Sequence, residues 1–189
     1  MVYKRFKINI CGVEMIGLKR GVVKLVPYTY KWKEEYVKEE KLLYSVIGKY
    51  ALDIEHVGST SIEGLDAKPI IDIAVAVESL DKLKSFKKLL EDIGYEYREN
   101  ACTEDRIMFA KGSEDLRTHY LHIETLNGPI WKNHIYFRDY LRLHKEYIHQ
   151  YSKLKRDLAE KFEDDRYLYT KEKDKFISMI LEKAKKNFL

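Results

Sequence analysis

The chain has 189 residues, 45% of them hydrophobic and 35% charged, with a formal net charge of +4. This length favours one domain with a real core, and the composition excludes a disordered chain or one built of membrane spans. Two cysteines, Cys11 and Cys102, lie far apart with no CxxC and no paired histidines nearby, which argues against a disulfide scaffold or a structural zinc knot.

The N-terminal ten residues mix lysines among apolar positions and show no apolar run before a small-residue cleavage site, so a cytoplasmic location is expected. The charge surplus is uneven. Residues 129–189 carry 15 Lys/Arg against 10 Asp/Glu, while residues 1–128 carry 20 against 21. Such an excess either attracts phosphates or solvates a helix surface.

In chain order, residues 1–21 show weak periodicity and two glycines, Gly12 and Gly17, and read as an N-terminal arm or hairpin. Val22 to Val26 is β-rich and is ended by Pro27. From Thr29 to Ile47 the positions Trp32, Tyr36, Leu42, Leu43, Val46 and Ile47 follow helical spacing, with Thr29 as N-cap and Gly48 as stop. Leu52 to Val57 then reads as a strand leading into the small-residue turn Gly58-Ser59-Thr60-Ser61, and Ile70 to Val77 is the strongest strand pattern in the chain. Ser79 caps a helix with the apolar face Leu80, Leu83, Phe86, Leu90 and Ile93, ended by Gly94. Three further strands follow: Tyr95 to Arg98, Arg106 to Lys111 and Thr118 to Glu124. After Pro129 the chain is helical, with Tyr140, Leu143, Tyr147, Tyr151, Leu154 and Leu158 at three- and four-residue steps and a last helix from about Thr170. The tyrosines of residues 136–151 read as packing residues. The expected fold is α/β (α+β): one domain, 22–189, with a mixed central sheet and C-terminal helices over 131–189 packed on it.

The chemistry concentrates in Glu55-His56-Val57-Gly58-Ser59-Thr60 and Lys68-Pro69-Ile70-Ile71-Asp72-Ile73. A strand ending in Gly-Ser-Thr offers free backbone N–H groups, two hydroxyls and close backbone approach, which phosphate oxygens require. Asp72 interrupts an apolar strand. Alternation places Ile71, Ile73, Val75 and Val77 on one face and Ile70, Asp72 and Ala74 on the other. A carboxylate there must be paired, hydrogen-bonded or bound to a cation.

This arrangement, a Gly-Ser turn, twelve intervening residues and an Asp on a hydrophobic strand, resembles the core motif of the nucleotidyltransferase (polymerase-β-like) superfamily. The wording is closer still to the GrpB family. The likeness continues through Arg106 and Lys111, Arg117-Thr118-His119-Tyr120-Leu121-His122, Phe137-Arg138-Asp139-Tyr140-Leu141-Arg142, Glu146-Tyr147, Leu154-Lys155 and Tyr169, Lys171 and Phe176-Ile177, over about residues 22–185. The resemblance implies a nucleotidyltransferase fold, a nucleoside triphosphate as ligand and a divalent metal (Mg, Mn or Zn) as cofactor. The wider superfamily places two metal-binding carboxylates two residues apart. Here the second position is Ala74, which binds no metal.

Substitutes for it are sought on Tyr120-Leu121-His122-Ile123-Glu124. With Leu121 and Ile123 facing the core, Tyr120, His122 and Glu124 share the other face. If this strand adjoins Asp72, as the superfamily fold implies, then Asp72, His122 and Glu124 would form a mixed imidazole–carboxylate site that prefers Mn²⁺ or Zn²⁺ to Mg²⁺. The competing role for His122 is that of a core-edge histidine bonded to a carbonyl. His56, following Glu55, either orients Asp72 or only ends a strand. Gly58, Ser59, Thr60, Lys68, Arg106, Lys111 and Arg117 are the candidates for phosphate contact. Gly58→Val is expected to block phosphate approach at a near-normal melting temperature. Three readings compete: a metal-dependent enzyme acting on a nucleoside triphosphate, with Asp72 and His122 catalytic; a nucleotide- or phosphate-binding regulatory module without turnover; and RNA binding by the basic third, for which no RNP- or KH-like signature is present.

Overall fold

The computed structural model describes residues 16–163 and 165–188. Its centre is a five-stranded mixed sheet in the order β1-β2-β5-β4-β3, formed by Ala51–Val57 (β1), Ile71–Val77 (β2), Tyr95–Tyr97 (β3), Arg106–Gly112 (β4) and Arg117–Thr125 (β5). β2 and β5 run parallel; the other neighbours are antiparallel. β2 is covered on both faces, which is why its pattern is a nearly unbroken apolar run.

The two faces of the sheet bury different partners. Ile71, Ile73, Val75 and Val77, with Leu121, Ile123, Ile107 and Phe109, pack under Lys31–Ile47 (α1) and Leu83–Asp92 (α2), meeting Trp32, Leu43, Ile47, Phe86 and Leu90. Ala74, Ala76 and Val57 face the other way and receive Trp131 from Pro129–Leu143 (α3). α3 opens with Pro129, whose missing N–H matches a position that has no intrahelical partner. Lys145–Lys161 (α4), Arg166–Lys171 (α5) and Asp174–Phe188 (α6) complete the chain. Tyr140, Leu141, Ile148, Tyr151, Ile180 and Ala184 from α3, α4 and α6 close a second core around Ile62 and Leu65.

Two polar anchors fix the C-terminal helices, α3 to β1 and α4 to the connection between β1 and β2. The Arg138 guanidinium donates to the Glu55 carboxylate and to the His56 carbonyl (3.0 Å), and is held in plane by Asp139 at 2.7 and 3.2 Å. The buried Lys155 ammonium donates to the Asp66 carbonyl and to Ser59 Oγ (3.1 Å).

Several local expectations are corrected. The β-rich stretch Val22 to Val26 pairs only at Val26, with Ala67, through reciprocal bonds of 2.9 and 3.0 Å. Thr29 is not the cap of α1. Tyr30 stands at that position, and Thr29 Oγ1 reaches only the Lys31 N–H at 3.4 Å. Gly48 keeps right-handed helical backbone and bonds Tyr44, so the helix leaves through a turn over 48–50 instead of a left-handed stop. The helical run after Pro129 breaks at His144, whose φ of −121° and ψ of 77° lie outside the helix. The last helix begins at Asp174; Thr170 belongs to α5, whose N-terminus is capped by Asp165 accepting from the Leu168 N–H at 3.0 Å. Residues 1–15 of the arm, Cys11 included, lie outside the described residues. Its last residues join the sheet, Gly17 donating to the Pro69 carbonyl (2.7 Å) and Leu18 bridging Arg117.

α3 to α6 should be inseparable from the sheet. Each large apolar side chain uncovered forfeits about 1.5–3 kcal/mol, against a total stability of about 5–15 kcal/mol. A fragment 21–127 would uncover Ile62, Leu65, Val57, Ala74 and Ala76 together. We expect it to aggregate or to melt without cooperativity; a sharp, monomeric calorimetric transition would contradict this packing argument.

Candidate functional site

On the α3 face of the sheet a cleft of about 730 Å³ opens between β1, β2, β4, β5 and the C-terminal helices. Its floor is Asp72. The β2–β5 register sets Ala74 beside His122, so Asp72 and His122 lie on one face two residues apart along the strands, and His122 Nε2 meets Asp72 Oδ1 at 3.2 Å. Burial alone would raise the Asp72 carboxyl. The hydrogen bond from His122, with the charges on His122, Lys68 and His134, outweighs it and holds the group below the ordinary carboxylate range.

Gly58 ends β1 directly above this carboxylate, with φ of +68°. A Cβ there would stand 2.6 Å from Asp72 Oδ2 and 2.9 Å from its Cβ. The turn over Ser59–Ser61 brings Ser59 Oγ to Lys155 and Thr60 Oγ1 to His56 Nε2 at 3.0 Å. Gly58, Ser59 and Thr60 all line the cleft.

The walls are cationic. Lys68, Arg106, Lys155, Arg166 and Lys173 line the cleft, as do Arg20, Arg98 and Arg117; among the described lining residues Asp72 is the one carboxylate. Arg20, Arg98 and Arg117 are committed to Glu96 and Glu114 at 2.7–3.3 Å. Lys68, Arg106, Arg166 and Lys173 form no ion pair with another described residue. The ring of Tyr169 lies between two of them, 5.5 Å from the Lys68 ammonium and 4.4 Å from that of Lys173. Burial, reinforced by Arg166 and Lys173, pushes Lys68 down to about 7; burial pushes Lys173 down to about 8 even though Asp72 opposes it. Lys155 is held well below its usual range by burial, then by Lys173.

Not every predicted site residue arrives here. Lys111 points to the α1 face and donates to Glu39 at 2.8 and 3.0 Å. His56 lies on the opposite face from Asp72, stacked on Tyr36 with ring centroids 4.7 Å apart, and burial lowers it to about 3. It therefore does not orient Asp72. Glu55 anchors Arg138 instead of serving the cleft. Arg117 lines the cleft but is buried and already paired with Glu96 and Glu114. The grouping of Asp72 with His122 and Glu124 also changes: the three residues within ligand reach of one another are His122, Glu124 and His134, whose donor atoms all lie within 4.8 Å. Lys155, Arg166, Lys173 and His134 were absent from the sequence-derived set. Ala74 is fully buried against Val57, Ala76 and Trp131, so the paired-carboxylate metal site implied by the superfamily does not fit this chain.

The sheet, its register and the turn over Asp72 define a nucleotidyltransferase-like α/β fold. A family model described as GrpB protein matches residues 22–183. The chain is 41% identical over 171 residues to the glutamate-rich protein GrpB of Alkalihalophilus pseudofirmus, covering 88% of this chain and 98% of that protein. It is 35% identical over 164 residues to the UPF0157 protein YqkA of Bacillus subtilis, covering 87% of this chain and 48% of that one. The crystal structure of the conserved protein GrpB from Enterococcus faecalis superposes with a TM-score of 0.81 at 34% identity, over 87% of this chain and 99% of that one. The chain belongs to the GrpB family. No helix among the described residues is long and apolar enough to cross a membrane.

The Gly58 contact overturns the expectation that Gly58→Val leaves stability untouched. A β-branched residue at φ +68° costs about 1–3 kcal/mol in backbone strain alone, before its collision with Asp72. Since 1 kcal/mol shifts the melting temperature of a chain this size by about 2–4 °C, we expect Gly58→Val to melt several degrees below wild type. An unchanged melting temperature would mean that the turn does not press on Asp72.

Proposed function

We propose that this protein binds a nucleoside triphosphate in the cleft above Asp72, the phosphates lying among Lys68, Arg106, Arg166 and Lys173 and beside the Gly58-Ser59-Thr60 turn. The observation that carries this reading is the charge of the interior: four cations without an ion pair to another described residue, two of them lysines depressed to about 7 and about 8, around one carboxylate. Cations so crowded and desolvated are unfavourable until an anion joins them. A polyphosphate supplies several oxygens at the spacing that Arg forks and Lys point charges take up.

A second reading adds turnover, and the Asp72–His122 contact favours it. An acceptor hydroxyl beside Asp72 would give its proton to that carboxylate, its oxygen would bond the α-phosphorus, and the bond to the departing pyrophosphate would break. Lys68 and Lys173 would then neutralise the pyrophosphate. Asp72, kept ionised below the usual range, is in the correct state to accept a proton. The buried Ala74 favours binding alone. Pyrophosphate release in the presence of candidate acceptors separates the two readings.

Titration calorimetry with ATP, GTP, CTP, UTP and inorganic triphosphate tests the binding. Lys68→Gln and Lys173→Gln should each weaken it at least tenfold. The sign with pH follows from the lysines. Their pKa values are lowered, so each loses charge as pH rises through about 7 and about 8, and affinity should fall between pH 7 and 9. In Lys68→Gln that slope should flatten. If wild type takes up no triphosphate, or if the variants bind like wild type, the proposal is wrong.

A further inference from the structure

On the same face of the sheet, next to Asp72, the side chains of His122, Glu124 and His134 converge. Glu124 lies on β5 and is 0% exposed, yet neither carboxylate oxygen has a hydrogen-bond partner. Its cross-strand neighbour Arg106 does not neutralise it; that guanidinium reaches the Ala101 carbonyl at 3.5 Å. His134, one turn beyond Trp131 on α3, places Nδ1 3.1 Å from Glu124 Oε1, but the N–H direction makes no hydrogen bond, and this nitrogen too is buried without a partner. His122 stands edge-on to His134, ring centroids 5.1 Å apart. Its Nε2 faces Asp72 and its Nδ1 is buried and unpartnered. A fully buried carboxylate whose only near polar contact among the described residues is a misaligned imidazole nitrogen is strongly unfavourable unless a further group completes it.

We infer that His122, Glu124 and His134 form a mononuclear site for a divalent transition metal of the zinc class, with Asp72 as the outer carboxylate that orients His122. The donor set is chemically apt: two neutral imidazoles and one carboxylate suit Zn²⁺ and its borderline neighbours, and not Mg²⁺, which prefers oxygen. A metal-bound histidine ordinarily gives its second ring nitrogen to a carboxylate, which fixes tautomer and ring direction. The Asp72–His122 contact is that relation. Ligand atoms on one tetrahedral zinc lie about 3.4 Å apart for a bond length of about 2.1 Å, so the present separations of up to 4.8 Å must close by about an ångström, within reach of side-chain rotation, when the metal enters. Three protein ligands leave a coordination position open, as in catalytic zinc sites, and both histidines line the cleft. The site differs from a paired-carboxylate centre in ligands and in place, and it stands whether or not a triphosphate binds.

The test uses the full chain stripped with chelator and titrated with Zn²⁺ or Co²⁺ alone. Wild type should take up one equivalent, Co²⁺ should develop visible d–d bands, and zinc-edge X-ray absorption should show scattering from two imidazoles. His134→Ala and Glu124→Gln should abolish uptake. Asp72→Asn should keep the stoichiometry and lose about 10–100-fold in affinity, the usual effect of removing an outer-shell partner. Lys84→Gln, on the exposed side of α2 and far from the cleft, should bind as wild type does. The absorption experiment needs no variant, so a misfolded His134→Ala cannot rescue the idea. No uptake by wild type, a zinc edge without imidazole, or normal uptake by His134→Ala would each overturn it.

Discussion

Asp72 is a carboxylate on a strand whose neighbours Ile71, Ile73 and Ala74 are wholly buried, and the surrounding structure is arranged to keep it charged. The parallel register of β2 with β5 supplies the His122 contact; a slip of one residue would turn His122 into the α1 side of the sheet. Gly58 must lack a side chain because the carboxylate occupies the volume a Cβ would need. Lys68, four residues before Asp72, adds charge across the cleft. The turn, the register and the lysine are thus three answers to one electrostatic demand.

The second demand is that the C-terminal helices sit close enough to send cations into that cleft. Arg138 meets it by reaching from α3 to Glu55 and the His56 carbonyl, and Lys155 by tying α4 to Ser59 and Asp66. Breaking one partner of such a buried pair is far more harmful than its net contribution suggests, because the other is left uncompensated. The surplus of basic residues after Pro129 is therefore not simply a solvated surface. Lys155, Arg166 and Lys173 turn inward.

The sheet was legible in the sequence because strand alternation is local. Period two alone put Asp72 on one face of β2 and His122 and Glu124 on one face of β5. The same rule exposes the error at Lys111: it shares parity with Ile107 and Phe109, which are core residues of the α1 face, so it had to point away from Asp72. His56 likewise shares parity with Ile54. What sequence could not supply is the docking of helices on the sheet. His134 joins Glu124 only because Trp131, one turn earlier, inserts against Ala74 and Ala76. Lys173 reaches the cleft only because α5 ends at Lys171 and the chain turns before α6. The break at His144 was hidden because the apolar steps on either side of it continue the same period.

The replacement of the second carboxylate by Ala74 has a consequence for charge that extends to the whole cleft. Two divalent ions beside Asp72 would face Lys68 and Lys173 with a single carboxylate to offset four ionic charges, an arrangement that repels cations and attracts anions. The lysines are tolerable because burial moves them towards neutrality, and an entering polyphosphate would restore their protons and draw them together around Tyr169. A metal held, as we infer, by His122, His134 and Glu124 would need no second carboxylate on β2, and its bond to His122 would leave Asp72 to act through that ring. The small side chain at position 74 then has a positive role: it admits Trp131, and the seating of Trp131 sets His134 beside Glu124.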